Sequence, residues 1–101
     1  MTVMHVISNP ALIAFWTKYP DAKKPLEVWY LVMEKSTFSD FNGLRASFAS
    51  ADYVDGLTAF NLGGNKYRLI ASIHYNRQKV YIRNVLTHSE YDREAWKRGL
   101  Q

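Results

Sequence analysis

Two stretches of this sequence carry side chains whose types and spacing suit chemistry on an anion. The first, FNLGGNKYRLIASIHY (residues 60–75), reads as two strands around a glycine turn. The face it should leave to water carries Asn61, Lys66, Arg68, Ser72 and His74. The second, VYIRNVLTHSEYD (residues 80–92), adds Tyr81, Arg83, Thr87, His88 and Tyr91. Such a set fits a phosphodiester. Arg68 and Arg83 can each grip phosphate oxygens through paired hydrogen bonds, and Lys66 adds a point charge. His74 or a tyrosine in contact can stack on a base. Were the chain RNA, its own 2′-OH would be the nucleophile. Cleavage would then need a base, an acid for the 5′-oxygen and cations for the charged transition state, with no metal or cofactor required.

These residues must be brought together by strands, and the sequence supplies the pattern. From Ala51 onward the period is two, with Asp55-Gly56 a turn signal and Gly63-Gly64 able to take the positive φ of a tight hairpin. A two-residue Gly-Gly turn would set Asn61 opposite Lys66 and Ala59 opposite Arg68. A four-residue loop at 76–79 would set Ser72 opposite Arg83, His74 opposite Tyr81 and Thr87 opposite Arg68. On that register the polar groups share one face, with His88 and Tyr91 coming off the strand end near Arg68. A one-residue slip would turn every side chain to the other face. Ser89 is the expected cap of a short last helix, with Glu90 in its first turn.

The N-terminal half reads as helical. Ser8-Asn9-Pro10 marks a start, and Leu12, Ile13, Phe15, Trp16 and Tyr19 follow at helical spacing up to Pro20-Asp21. A second helix fits Ala22 to about Lys35, where Leu26, Trp29, Tyr30 and Met33 form one apolar stripe, read as core. A third helical turn fits Asp40–Phe48, although Asn42-Gly43 weakens it. Helices first and strands afterwards predict an α+β fold: N-terminal helices packed on one face of a small antiparallel sheet, then a short C-terminal helix.

Length and composition bound the class. At 101 residues, 48% hydrophobic, the chain is expected to form a single domain over 1–101. No window approaches a membrane span, no signal peptide is read in MTVMHVISNP, and the absence of cysteine fits a reducing cytoplasm. The three histidines (5, 74 and 88) lack metal-ligand spacing, Gly63-Gly64-Asn65-Lys66 lacks the P-loop pattern, and Ser72 has no triad partners beyond His74. The net charge of +4 is uneven: residues 1–60 sum to −1 and residues 61–101 to +5. A basic C-terminal part can steer a polyanion.

Taken together, MHVIS (residues 4–8), FNLGGNKYRLIASIHY and VYIRNVLTHSEYD resemble the HigB family of RelE-like bacterial toxins, from Met4 to about Trp96. The most specific parts are F-N-x-G-G-N-x-Y-R-L and Y-I-R-x-x-x-T-H-x-E-Y-D. The resemblance implies a RelE-like fold and a ribosome-dependent mRNA endoribonuclease acting by 2′-OH attack without a metal. It also implies a helix-turn-helix, HigA-like antitoxin as partner. By position in the motifs, Arg68 is implied as the transition-state binder and Tyr91 as the tyrosine near the 2′-OH. Arg83 and His88 are implied as further catalytic groups, and Lys66 as a phosphate contact. Asn61 is expected to orient neighbours or substrate, and Asn65 to shape the turn. The chain departs from RelE in having only Lys66 ahead of Arg68 in the hairpin and then His88, so the assignment of base and acid between His88 and Tyr91 stays open. The residues alone also fit a non-catalytic RNA- or ribosome-binding face, and the resemblance to this fold also implies an inhibitor directed at a protein as an alternative.

Overall fold

The computed structural model describes residues 3–7, 9–64 and 66–92. Its elements run β1 (His5–Ile7), α1 (Asn9–Lys18), a 3-10 turn (Pro20–Ala22), α2 (Lys23–Lys35), α3 (Phe41–Ser47), β2 (Asp52–Val54), β3 (Leu57–Leu62), β4 (Tyr67–His74), β5 (Lys79–Thr87) and α4 (His88–Asp92). The strands form one sheet in the order β1-β5-β4-β3-β2. This is the expected α+β architecture with one correction. The sheet is mixed, because β1 runs parallel to β5 through Val6↔Val80 while every other pairing is antiparallel. A three-residue strand leading straight into a helix shows too little alternation to be read from sequence. It is held from several sides: Met4 and Val6 are buried in the main core, Glu34 accepts the Val6 N–H at 3.0 Å, and Gln78 O accepts the His5 N–H at 2.8 Å.

Helices α1 and α2 lie where the 3.6-residue spacing put them; the expected cap at Ser8 falls outside the described residues. Leu26, Trp29 and Met33 of α2 are buried, Tyr30 half-buried, as the apolar stripe requires. Helix α3 forms despite Asn42-Gly43. Asp40 caps it, its carboxylate accepting the Gly43 N–H at 2.8 Å. Under these helices the even-numbered side chains of β3, Phe60 and Leu62, meet Leu69, Ala71, Val80 and Ile82 in one apolar cluster. Phe60 takes Trp29 and Phe48 edge-on at 5.5 and 5.0 Å between ring centroids. Trp29 is 1% exposed, so truncating it to alanine would cost about 3–5 kcal/mol and loosen the helix layer.

Strand register departs from expectation in two informative ways. The first hairpin closes on Leu62↔Tyr67, so Arg68 pairs with Asn61 and Lys66 lies outside the strand. Gly63 and Gly64 both have positive φ, 60° and 63°. The slip from the two-residue turn is even, so each side chain keeps its face. It places Tyr67 under α1, against Phe15 and Tyr19. The second hairpin closes on His74↔Lys79, and Gln78 (φ 53°) pins its turn by donating to the carbonyls of Phe38 and Tyr75. Beyond it, β5 bulges at Arg83: Ala71 pairs with Ile82, but Ile70 pairs with Asn84. One inserted residue reverses the alternation. Thr87 therefore pairs with Tyr67 rather than with Arg68, and Leu86 takes the place opposite Arg68.

No helix among the described residues is long and apolar enough to cross a membrane. An apolar groove of about 230 Å³ lies between α1 and α2, lined by Leu12, Ile13, Trp16, Glu27, Tyr30 and Leu31. It belongs to the helix layer, across the sheet from Arg68, and plays no part in the site described next.

Candidate active site

The site is built where β4, β5 and α4 meet on the face the helices leave open. Arg68 is 8% exposed, an unusual position for a guanidinium. Its burial is offset by local partners. Nη1 donates to the carbonyl of Tyr67 at 3.2 Å, and Nη2 lies 3.0 Å from Nδ1 of His88. The ring of Tyr91 covers the guanidinium, with Cζ 5.4 Å from its centroid. Tyr91 also packs on a small second apolar cluster of Leu57, Ala59 and Ile70, joined by Val54 and Leu86. That patch is why the open face is not simply polar. It gives the five-residue α4 something to rest on.

Two devices fix α4. Thr87 and Glu90 form a reciprocal capping box: Glu90 Oε1 accepts the Thr87 N–H at 2.9 Å, and Thr87 Oγ1 accepts the Glu90 N–H at 3.2 Å. The cap is thus Thr87 rather than Ser89. The backbone N–H of His88 donates to the carbonyl of Lys66 at 2.9 Å, tying the start of α4 to the Gly-Gly turn. The His88 ring is then held between two groups, Arg68 at Nδ1 and Asp92, whose Oδ2 is 3.1 Å from Nε2. Asp92 was not among the residues singled out from sequence. Its spacing of four from His88 on a helix was the available signal.

The remaining expected site residues fall elsewhere. Arg83 is exposed at the bulge, three positions before the register partner of Arg68, on the order of 10 Å along the strand. His74 is six positions from Arg68, about 20 Å along β4. It sits edge-on to Tyr81 at 5.2 Å between ring centroids, with Nε2 3.4 Å from the Ser72 hydroxyl. Asn61 is directly across from Arg68, but its amide donates to the Ser50 carbonyl at 3.3 Å and so braces the approach to β2. Asn65 lies outside the described residues.

Lys66 pairs with Asp21 at 3.3 Å, and the buried Tyr67 hydroxyl donates to the other oxygen of the same carboxylate. The tyrosine first, and then the ammonium, hold the Asp21 carboxyl below its ordinary range. The same bond, with burial behind it, pushes Tyr67 up to about 12. This clip joins the hairpin turn to the helix layer, which is a structural task. What converges chemically is Arg68, His88 and Tyr91, with Asp92 behind the imidazole: a charged donor able to take a phosphate oxygen, beside a ring nitrogen able to take a proton.

The sequence profile of the family HigB_toxin, described as the RelE-like toxic component of a toxin-antitoxin system, matches residues 22–94. The chain is 40% identical over 92 residues to the mRNA interferase toxin HigB of Escherichia coli strain K12, the match covering 88% of each chain. The mRNA interferase HigB of Shigella flexneri is similar to the same degree. The mRNA interferase HigB of Escherichia coli O6:H1 strain CFT073 is 29% identical over 93 residues, 89% of this chain and 90% of its own.

Proposed function

The chain belongs to the HigB family of RelE-like toxins, and from that premise we propose that the face carrying Arg68, His88 and Tyr91 cleaves mRNA by attack of the substrate's own 2′-OH. One observation carries the reading of the site: a nearly buried arginine, covered by a tyrosine ring, lies 3.0 Å from a histidine nitrogen. An entering phosphate takes the guanidinium donor and leaves Nδ1 of His88 with its lone pair open. His88 then takes the 2′-OH proton, the 2′-oxygen bonds to phosphorus, and the bond from phosphorus to the 5′-oxygen breaks. Arg68 holds the charge that develops on the phosphoryl oxygens. Tyr91 supplies the proton to the departing 5′-oxygen, the neighbouring guanidinium easing the phenolate that results. The products are a 2′,3′-cyclic phosphate and a 5′-hydroxyl.

Arg83, Lys66 and His74 stand outside this centre and guide the chain rather than react with it. Arg83 and Lys66 add positive charge along the path, while His74 and Tyr81 offer a ring surface for a flanking base. The partners are an antitoxin and mRNA, as the family and its relatives indicate; the finer reading is a helix-turn-helix antitoxin, with mRNA presented on the ribosome. The place of action is the cytoplasm, where translating mRNA is found. The roles given to Arg68, His88 and Tyr91 rest on geometry and on the family motif together.

The test is induced expression with mapping of mRNA 5′ ends, wild type beside Arg68→Ala. Growth arrest with new cuts in translated frames, both lost in the variant, is the expected result. Arrest without cuts would transfer the activity to a protein target. Binding to ribosomes without arrest or cuts would reduce the face to a non-catalytic module.

A further inference from the structure

The arrangement around His88 specifies more than the identity of a base, and we infer that Asp92 is a positioning residue that fixes which nitrogen of His88 meets the substrate. This rests on the proposed role of His88. Arginine presents only donors, so the contact between Arg68 Nη2 and Nδ1 at 3.0 Å requires Nδ1 to accept. In the neutral ring the proton must then sit on Nε2, which faces Asp92 Oδ2 at 3.1 Å. A carboxylate can only accept from it. The two contacts demand the same tautomer, and the orientation of the ring follows from it.

The other groups near the ring leave this assignment intact. The backbone N–H of His88 is given to the Lys66 carbonyl, and the Lys66 ammonium to Asp21. The Glu90 carboxylate accepts the Thr87 N–H, and Tyr91 stands over Arg68. Arg68 and Asp92 are thus the charged groups that set the two nitrogens. When a phosphate draws the Arg68 donor away, Asp92 still holds the Nε2–H, so the lone pair on Nδ1 stays beside the guanidinium. Once Nδ1 has taken the 2′-OH proton, the Asp92 carboxylate faces the imidazolium from behind. Remove that carboxylate and the proton can move to Nδ1, where it blocks the nitrogen meant to act. Asp92 touches neither substrate nor reacting atoms; it works through His88.

Two readouts on the full chain, freed of antitoxin, test this. The first is the tautomer of His88 by nitrogen-15 NMR of histidine-labelled protein, with His88→Gln identifying the signal. In an Arg68→Ala background, where Asp92 alone sets the ring, the Nε2–H form should remain, and adding Asp92→Asn should remove that preference. The second is single-turnover mRNA cleavage on programmed ribosomes. Asp92→Asn should slow it about 10- to 100-fold, within what a positioned acid–base group supplies, with half-saturation little changed and Asp92→Glu recovering most of the rate. An unchanged tautomer on adding Asp92→Asn to Arg68→Ala overturns the inference whatever the rate does. A shifted tautomer with an unchanged rate overturns it too, provided His88→Gln is inactive. If His88→Gln cleaves normally, the role given to His88 fails and the inference falls with it.

Discussion

The guanidinium of Arg68 and the imidazole of His88 meet at 3.0 Å although twenty residues separate them in sequence. The contact needs a central strand to bury the arginine, a turn carbonyl to seat His88 and a capped helix to aim its ring. Replacing Arg68 by alanine should lower cleavage by roughly a hundred- to a thousandfold, the cost of removing one preorganised charge-stabilising donor. Lysine should not restore it: an ammonium keeps the charge but loses the planar fork that reaches the Tyr67 carbonyl and Nδ1 together. Single-turnover rates of both variants check this, with lysine expected at least tenfold below wild type.

The chemistry can be tested on the substrate as well. If the 2′-OH is the nucleophile, a single 2′-deoxy substitution at the mapped cleavage position should abolish cutting there while leaving binding intact. Wild-type fragments should carry 5′-hydroxyl ends. A 5′-phosphate on the downstream fragment would mean that water, not the ribose, attacked the phosphorus, and the roles of His88 and Tyr91 would have to be redrawn.

The placement of these residues was partly legible in the sequence, and the reason for the limit is specific. Period-two alternation in β3 and β4 put Arg68 on the open face, and that survived an even slip in the hairpin because faces are conserved every second residue. The helices were equally legible from the spacing of Leu26, Trp29 and Met33. The bulge at Arg83 was not, since no glycine marks it, and it reversed every residue after it. Thr87 left the open face to become a cap; Leu86 replaced it. The pairing of Lys66 with Asp21 left no local trace, since the two lie 45 residues apart in sequence. Parallel pairing of β1 had no local trace.

The Asp21, Lys66 and Tyr67 clip gives stability a pH signature at both ends. Asp21 is held below its ordinary 3.8, so its contribution is present above that value and is lost as pH falls through the lowered one. Tyr67 is raised from 10.0 to about 12, so its contribution is complete below pH 10 and disappears as pH rises through about 12. Tyr67→Phe should flatten both flanks of a midpoint-against-pH curve and cost about 1 kcal/mol near neutrality, with cleavage nearly unchanged. A large loss of cleavage in a folded Tyr67→Phe protein would place this hydroxyl in the chemistry instead.

Helix α4 is five residues long, too short to persist on propensity alone, and its first turn depends on the reciprocal bonds of Thr87 and Glu90. Both His88 and Tyr91 ride on that turn. Thr87→Ala removes the hydroxyl that accepts the Glu90 N–H and should destabilise the turn by about 0.5–2 kcal/mol. The loss is local, because the main core under α1 and α2 does not include α4. Global unfolding should therefore move little while cleavage falls severalfold, and amide exchange should quicken in residues 88–92 before it does in β3 or β4. Thr87→Ser retains the accepting oxygen and should keep most of the activity. If serine and alanine behave alike, the capping box is not what holds His88 against Arg68, and the packing of Tyr91 on the Leu57, Ala59 and Ile70 cluster must do so alone.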